Sequence, residues 1–291
     1  MKLKISHLKY LYNHPLSKDR LFKTFFRYIY FHILYNKDDE ITIPFCDKKL
    51  IVIKGQGGQA NYFTELNDYE EMLFLVHYLK EENTFIDIGA NVGSYSVLAA
   101  ITNDVNVHAF EPNSILFDII LKNIKINNLQ DKLTAHHCAL GEKNGYVRII
   151  NQGLLTHIIE TNCVNSEKVE LKCLDDIIDS ANIMKIDVEG YEEKVLIGAE
   201  KILNNPNLNA IIVEMTVNNR YGSSYQKVHA ILSKFGFNPF SYDPIDRQLN
   251  NREKYIPNGK RWWNVIYIKN IDLALDCVKS SKKIKVNGRW Y

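Results

Sequence analysis

One recurring order constrains this chain more than any other feature: a short apolar run, a turn of small or acidic residues, then a helical pattern. The order begins with the run 85–89 and the helix 94–101, and repeats with 106–110 and 114–127. It continues with 132–139, with 183–188 and the helix 191–203, and with 210–215 and the helix 225–235. The runs 240–242 and 264–268 complete the set, and 146–150 with 167–173 read as an inserted pair of strands. Strands alternating with helices of this length imply an α/β fold with a doubly wound, mostly parallel sheet. Ahead of this region lie a helix at 69–80, a flexible stretch at 55–61 and two short β-like runs, 41–46 and 50–54.

Composition excludes several other classes. Hydrophobic residues make up 46% of the 291, enough for a sizeable core. Net charge is +2, without the basic excess of a chain built to coat phosphate backbones. Cys46, Cys138, Cys163, Cys173 and Cys277 are odd in number and lack CxxC spacing, as expected of reduced thiols in a cytoplasmic protein. The first twenty residues lack a continuous apolar run and a signal-type cleavage site. Residues 21–35 are too short to span a bilayer, and Lys23, Arg27 and His32 interrupt them. There Phe22, Phe25, Phe26, Ile29 and Ile33 recur at helical spacing, an apolar face expected to pack on the main domain or a partner subunit. Peripheral membrane contact is the alternative.

In open α/β sheets, ligands bind beyond the carboxyl ends of the strands. After the first strand comes IDIGANVGSYS, in which Asp87, Gly89, Asn91 and Gly93 allow close backbone approach and a direct turn into a helix. With Asn91 in place of a middle glycine, a nicotinamide pyrophosphate site is disfavoured. The second strand delivers Glu111, a carboxylate placed to accept ribose hydroxyls. The third ends with Ala139, Leu140 and Gly141, an apolar slot for an adenine. The fourth, in IMKIDVEGYEEKVL, brings Asp187 and Glu189, and the fifth brings Glu214 to the same edge. Acids converging there suit a positively charged cofactor and proton removal from a hydroxyl. Near the last strands, Trp262, Trp263 and Tyr242 include candidates for stacking a sugar ring.

In their order and spacing, DIGANVGSYSVLAA, VHAFEPN, CALGEKNG, LDDII and MKIDVEGYEEKVLIGAEKIL resemble the FkbM family of S-adenosylmethionine-dependent methyltransferases. The resemblance implies a class I methyltransferase fold with a seven-stranded sheet, one strand antiparallel. It divides the chain into an N-terminal extension, 1–60, a methyltransferase domain, 61–270, and a tail, 271–291. Carried over by position, Asp87, Gly89, Asn91 and Gly93 would line the methionine side of the cofactor, Glu111 would hold the ribose, and Asn61 would lie near the cleft. Asp187, Glu189, Glu214 and His157 would face the acceptor, with Asp187 or His157 as general base. The implied reaction is O-methylation of a small-molecule or carbohydrate hydroxyl, in glycan biosynthesis. The acids could instead bind a divalent metal, which no ligand pattern in the sequence supports. The competing readings are a non-catalytic methyltransferase-fold binding module and a nucleic-acid methyltransferase, and the neutral charge and the IDVEG strand end favour neither nucleic acid nor amino-group chemistry on bases. The apolar N-terminal helix is expected to serve a homodimer or to act as a lid.

Overall fold

The computed structural model describes residues 5–152, 155–159, 166–216, 220–252, 262–286 and 288–291. The chain opens with α1 (Ile5–Asn13) and α2 (Leu21–Leu34), a hairpin of β1 (Glu40–Phe45) and β2 (Lys48–Ile53), then α3 (Gln59–Thr64) and α4 (Tyr69–Tyr78). The alternating region follows as β3 (Thr84–Ile88), α5 (Ser94–Thr102), β4 (Asn106–Phe110), α6 (Ser114–Asn127) and β5 (Leu133–His136). Next come β6 (Ala139–Leu140), β7 (Gly145–Gln152), β8 (Leu155–Ile159) and β9 (Ser166–Lys172), which form a four-stranded side sheet of order β6-β9-β7-β8. The alternation resumes with β10 (Ile183–Ile186), α7 (Glu192–Ile197), α8 (Glu200–Asn204), β11 (Ala210–Thr216) and α9 (Tyr225–Lys234). The chain closes with β12 (Asn238–Asp243), β13 (Gln248–Asn251), β14 (Trp262–Ile268), α10 (Ile271–Ser280) and a small hairpin of β15 (Lys285–Val286) and β16 (Arg289–Trp290).

The main sheet runs β13-β12-β14-β11-β10-β3-β4-β5. From β5 to β11 all neighbours are parallel, and β14 enters antiparallel between β11 and β12. These are the seven strands expected, one of them reversed. The sheet is nonetheless eight-stranded, a correction to the expected number, because β13 adds antiparallel to the β12 edge. Its sequence QLNN has no apolar alternation, so periodicity could not reveal it. The run 132–139 also divides: β5 stays in the main sheet, and Ala139 leaves for the side sheet.

Side chains of the central strands alternate between two buried clusters. Phe85, Val107, Ile183 and Ile212 face α4, α5, α6 and α10, while Ile86, Met184, Ile211 and Val213 face α7, α8 and α9. Burial on both faces makes these strands nearly continuous apolar runs. The first cluster also holds Leu11 and Leu16, Tyr28 and Phe31 of α2, and Ile43 and Val52 of the hairpin. The hairpin docks on α6 through two asparagine side chains. Asn123 accepts from the Ile51 amide (2.6 Å) and donates to the Ile51 carbonyl (3.0 Å); Asn127 does the same for Lys49 at 3.1 and 2.8 Å.

Helix α2 forms as its spacing predicts, but with the opposite face inward. Thr24, Tyr28 and Phe31 are its buried stripe, and Phe31 packs on the rings of Tyr62 and Phe63 at 4.8 and 5.0 Å. Phe22 and Phe26, expected to pack, are 84% and 66% exposed, and Ile33 is exposed as well. Aromatic rings spaced at positions 28 and 31 fill the gap against α3, and periodicity alone cannot choose between two apolar stripes.

Candidate functional site

Three strand ends build one cleft. After β3 the backbone turns through Gly89 (φ +76), Asn91 (φ +57) and Gly93 (φ +80), conformations that glycine, and next best asparagine, adopts at low cost. Gly89 is also steric: a Cβ there would stand 1.9 Å from the Asp187 carbonyl oxygen. The amides of Gly89 and Ala90 both donate to the Phe110 carbonyl at 3.0 Å, tying this loop to the end of β4. Glu111 completes the tie. Its Oε2 accepts from the Asn91 amide at 2.8 Å and its Oε1 from the Asn113 amide at 2.9 Å. Burial nevertheless pushes its carboxyl up to about 7, against the pull of those two amides.

Three cavities meet at this edge. One of about 110 Å³ lies among Gly89, Asn91, Glu111, Ala139, Leu140 and Glu189. A second of about 370 Å³ is walled by Asn61, Asn67, Asp68, Tyr95 and the same loop, with Tyr10 of α1 and Tyr28 of α2 closing it. The third, about 740 Å³ and open, runs between Tyr10 and His14 on one side and Glu214, Arg252 and Trp263 on the other. Asp187 lines all three. The N-terminal extension is therefore part of the cleft wall.

The acids are brought together as expected. Each of Asp187, Glu189 and Glu214 places a carboxylate oxygen within 4.8 Å of the others. Burial, with Asp187 and Glu189 beside it, pushes the Glu214 carboxyl well above the usual carboxylate range, which favours its protonated form. The spacing would admit one cation held by oxygen donors. The chain supplies a cation of its own: Lys185 on β10, 4% exposed, donates to Asp187 Oδ2 at 3.0 Å. Burial works against the Lys185 charge, and Asp187, Asp87 and Asp68 more than offset it, holding the ammonium protonated above its usual range. Its Nζ also lies 4.9 Å from the Tyr95 ring centre. A lysine within an apolar run that is buried on both faces survives only with partners, and that signal could have marked Lys185 in advance. Glu192 is a second residue that sequence reasoning missed. Buried, it accepts from the Val188 and Gly190 amides at 3.2 and 3.0 Å and fixes the turn that carries Glu189 at φ +55.

Not every expected residue reaches a cavity. Asn61, Gly89, Asn91, Glu111, Ala139 and Leu140 do. Asp87 and Gly93 line none of the three and sit behind the loop. Asp87 is 1% exposed; its Oδ2 accepts from the Ser96 amide and hydroxyl at 3.1 and 2.6 Å, fastening α5 to β3. Gly93 starts α5, where an added Cβ would press on Ile120. His157, on β8 of the side sheet, is buried and lines none of the three either. Trp263 does line the open cavity; Tyr242 is core, hydrogen-bonded to His77 at 2.7 Å, and the side chain of Trp262 lies outside the described residues. Cys163 lies outside them too.

A family model described as "Methyltransferase FkbM domain" matches residues 87–239, more than half of the chain. The chain belongs to the FkbM methyltransferase family, and its sheet order is that of a class I methyltransferase fold carrying one extra edge strand. A curated relative, the hexuronic acid methyltransferase AglP of Haloferax volcanii, is 26% identical over 149 residues, 48% of this chain and 59% of that protein. The chain thus matches about three fifths of that relative's length. Among solved structures, the M. jannaschii tRNA m1G37 methyltransferase aligns with TM-score 0.46 at 13% identity, over 81% of this chain and 58% of that one. M. jannaschii TYW2, solved in complex with AdoMet, aligns with TM-score 0.43 at 14% identity, over 82% and 90%. No described helix is long and apolar enough to cross a membrane.

Proposed function

We propose that this chain is an S-adenosylmethionine-dependent O-methyltransferase acting on a hydroxyl of a sugar, within glycan biosynthesis. The observation that carries the reading is the position of Asp187, where three adjoining cavities meet. A two-part cofactor and a separate acceptor need that geometry, with the reacting atoms at the junction. The hexuronic acid methyltransferase relative supports a carbohydrate acceptor.

The residues present fit the cofactor. Each Glu111 oxygen binds one amide and keeps a further acceptor site for a ribose hydroxyl, while Ala139, Leu140 and Phe110 offer apolar contact to a base. On the other side Asp68, Asn67 and Asn61 provide polar groups for an amino-acid end. When bound, S-adenosylmethionine supplies an activated methyl carbon and a sulfonium leaving group. The chain's part is to position the acceptor oxygen and take its proton. Asp187 is the proposed base, since it faces the open cavity and Lys185, which shares the second cavity with it, fixes its carboxylate at 3.0 Å. With its carboxyl pushed toward the protonated form, Glu214 can donate a hydrogen bond within the same cavity and orient the acceptor, with a Glu189 oxygen within 4.8 Å. Trp263 and Tyr10 wall that cavity with rings suited to a sugar face.

The test begins with calorimetric titration of the full chain. S-adenosylhomocysteine should bind at micromolar concentration and NAD should not. Radiolabelled S-adenosylmethionine should then pass its methyl group to hexuronic-acid oligosaccharides, the product being an ether. Failure to bind S-adenosylhomocysteine would overturn the cofactor reading; binding without transfer to any sugar would overturn the acceptor reading alone.

A further inference from the structure

Of the fifteen large hydrophobic side chains exposed among the described residues, six lie on α2. Phe22, Phe26, Ile29 and Ile33 repeat every three or four residues and so share one stripe, opposite the buried stripe of Thr24, Tyr28 and Phe31. Phe25, Tyr30 and Leu34 flank it and are 42%, 56% and 49% exposed. Contiguous apolar exposure on this scale marks an interaction site.

Charge decides between occupants. Residues 1–37 contain eight lysines and arginines and one acid, Asp19, in a chain whose net charge is only +2. Lys9, Lys18, Lys23 and Lys37 are exposed around the α1–α2 pair. A second copy of the same face would bring like charges together, whereas an anionic bilayer surface complements them. Aromatic side chains flanked by cations on a helix too short to span also match what sits stably at a headgroup boundary.

We infer that α2 docks this protein on the surface of an anionic lipid bilayer, with Phe22, Phe26, Ile29 and Ile33 entering the interface and the lysines meeting the headgroups. Position within the fold gives the docking a purpose. Tyr28, on the inner stripe of the same helix, walls the cavity that also holds Asp187. One helix, roughly 10 Å thick with its side chains, separates the bilayer from the cleft. The inference does not depend on the sugar reading, because lipid binding is measured without acceptor or cofactor.

The test is co-sedimentation of the full chain with vesicles of phosphatidylcholine containing about one third phosphatidylglycerol. Binding should be about tenfold or more stronger than to pure phosphatidylcholine. It should weaken as salt rises from about 0.1 M to about 0.5 M. The double variant Phe22→Ser, Phe26→Ser should lose about tenfold or more of the vesicle affinity, with its thermal melt unchanged because both rings are exposed. Absence of vesicle binding, or equal binding by the variant, would overturn the inference. So would a dimer on size-exclusion chromatography that the double variant dissolves, since the face would then belong to a second copy.

Discussion

Carboxylates at two strand ends of the cleft are held in opposite ways. Glu111, beyond β4, is caught between two backbone amides, each oxygen accepting one of them. Asp187 and Glu189, beyond β10, and Glu214, near the end of β11, crowd within 4.8 Å of each other, beside one buried ammonium and with the Glu214 carboxyl pushed toward its protonated form. The first arrangement is fixed by main chain and suits a group that only holds. The second depends on side chains whose charge can change, which suits a group that must take up a proton.

The largest expected effect falls on the second group. Asp187→Asn should cut methyl transfer by about 10²- to 10⁴-fold, the usual share of a general base. Its affinity for S-adenosylhomocysteine should stay nearly constant. Rates from radiolabel transfer to a hexuronic-acid oligosaccharide, beside a calorimetric titration, separate the two, and an unchanged rate would remove Asp187 as the base. Next comes Lys185→Met. Stripping the buried cation from Asp187, Asp87 and Asp68 leaves uncompensated charge and should cost about 3–5 kcal/mol of stability by urea unfolding. A loss near zero would mean that the acids hold one another through shared protons alone.

Glu111→Gln should weaken S-adenosylhomocysteine binding by about 10- to 100-fold, since a charged acceptor with two amide partners becomes a neutral amide. Calorimetry reads this directly. The smallest effect is a pH slope. Because burial holds the Glu111 carboxyl up at about 7, its ionised form, the better acceptor for ribose hydroxyls, accumulates as pH rises through that value. Affinity should climb by up to about tenfold per pH unit below 7 and level off above it. The slope should vanish in Glu111→Gln. In the free chain the sign reverses: a carboxyl raised from 4.5 to about 7 gives stability that is full below 4.5 and lost as pH climbs to 7.

Much of the fold was legible because buried parallel strands leave little choice of residue. The runs containing Phe85–Ile88 and Ile183–Ile186 could hardly be anything else, and the acids beyond them pointed to the cleft edge. What was not legible depended on contacts between distant segments. Periodicity found α2 but could not tell that Tyr28 and Phe31, rather than Phe22 and Phe26, would meet the rings of Tyr62 and Phe63 on α3. Tyr10 and His14 enter the open cavity because both are hydrogen-bonded to Asn67, more than fifty positions later in sequence. Asp87 was correctly placed at the strand end, yet a side chain at an inward position of a buried strand serves the loop behind the cavity.

The two asparagines of α6 carry a consequence of a different kind. By pairing with Lys49 and Ile51 as a neighbouring strand would, Asn123 and Asn127 cover backbone groups of β2 that would otherwise offer themselves to another molecule's strand. A helix thus performs edge protection for a hairpin more than seventy positions earlier in sequence. Removing residues 1–60 would therefore do more than take away a wall of the cleft. It would uncover the face of α6 that meets β2 and the apolar cluster that Ile43 and Val52 help to fill, so the remainder would lose solubility as well as stability.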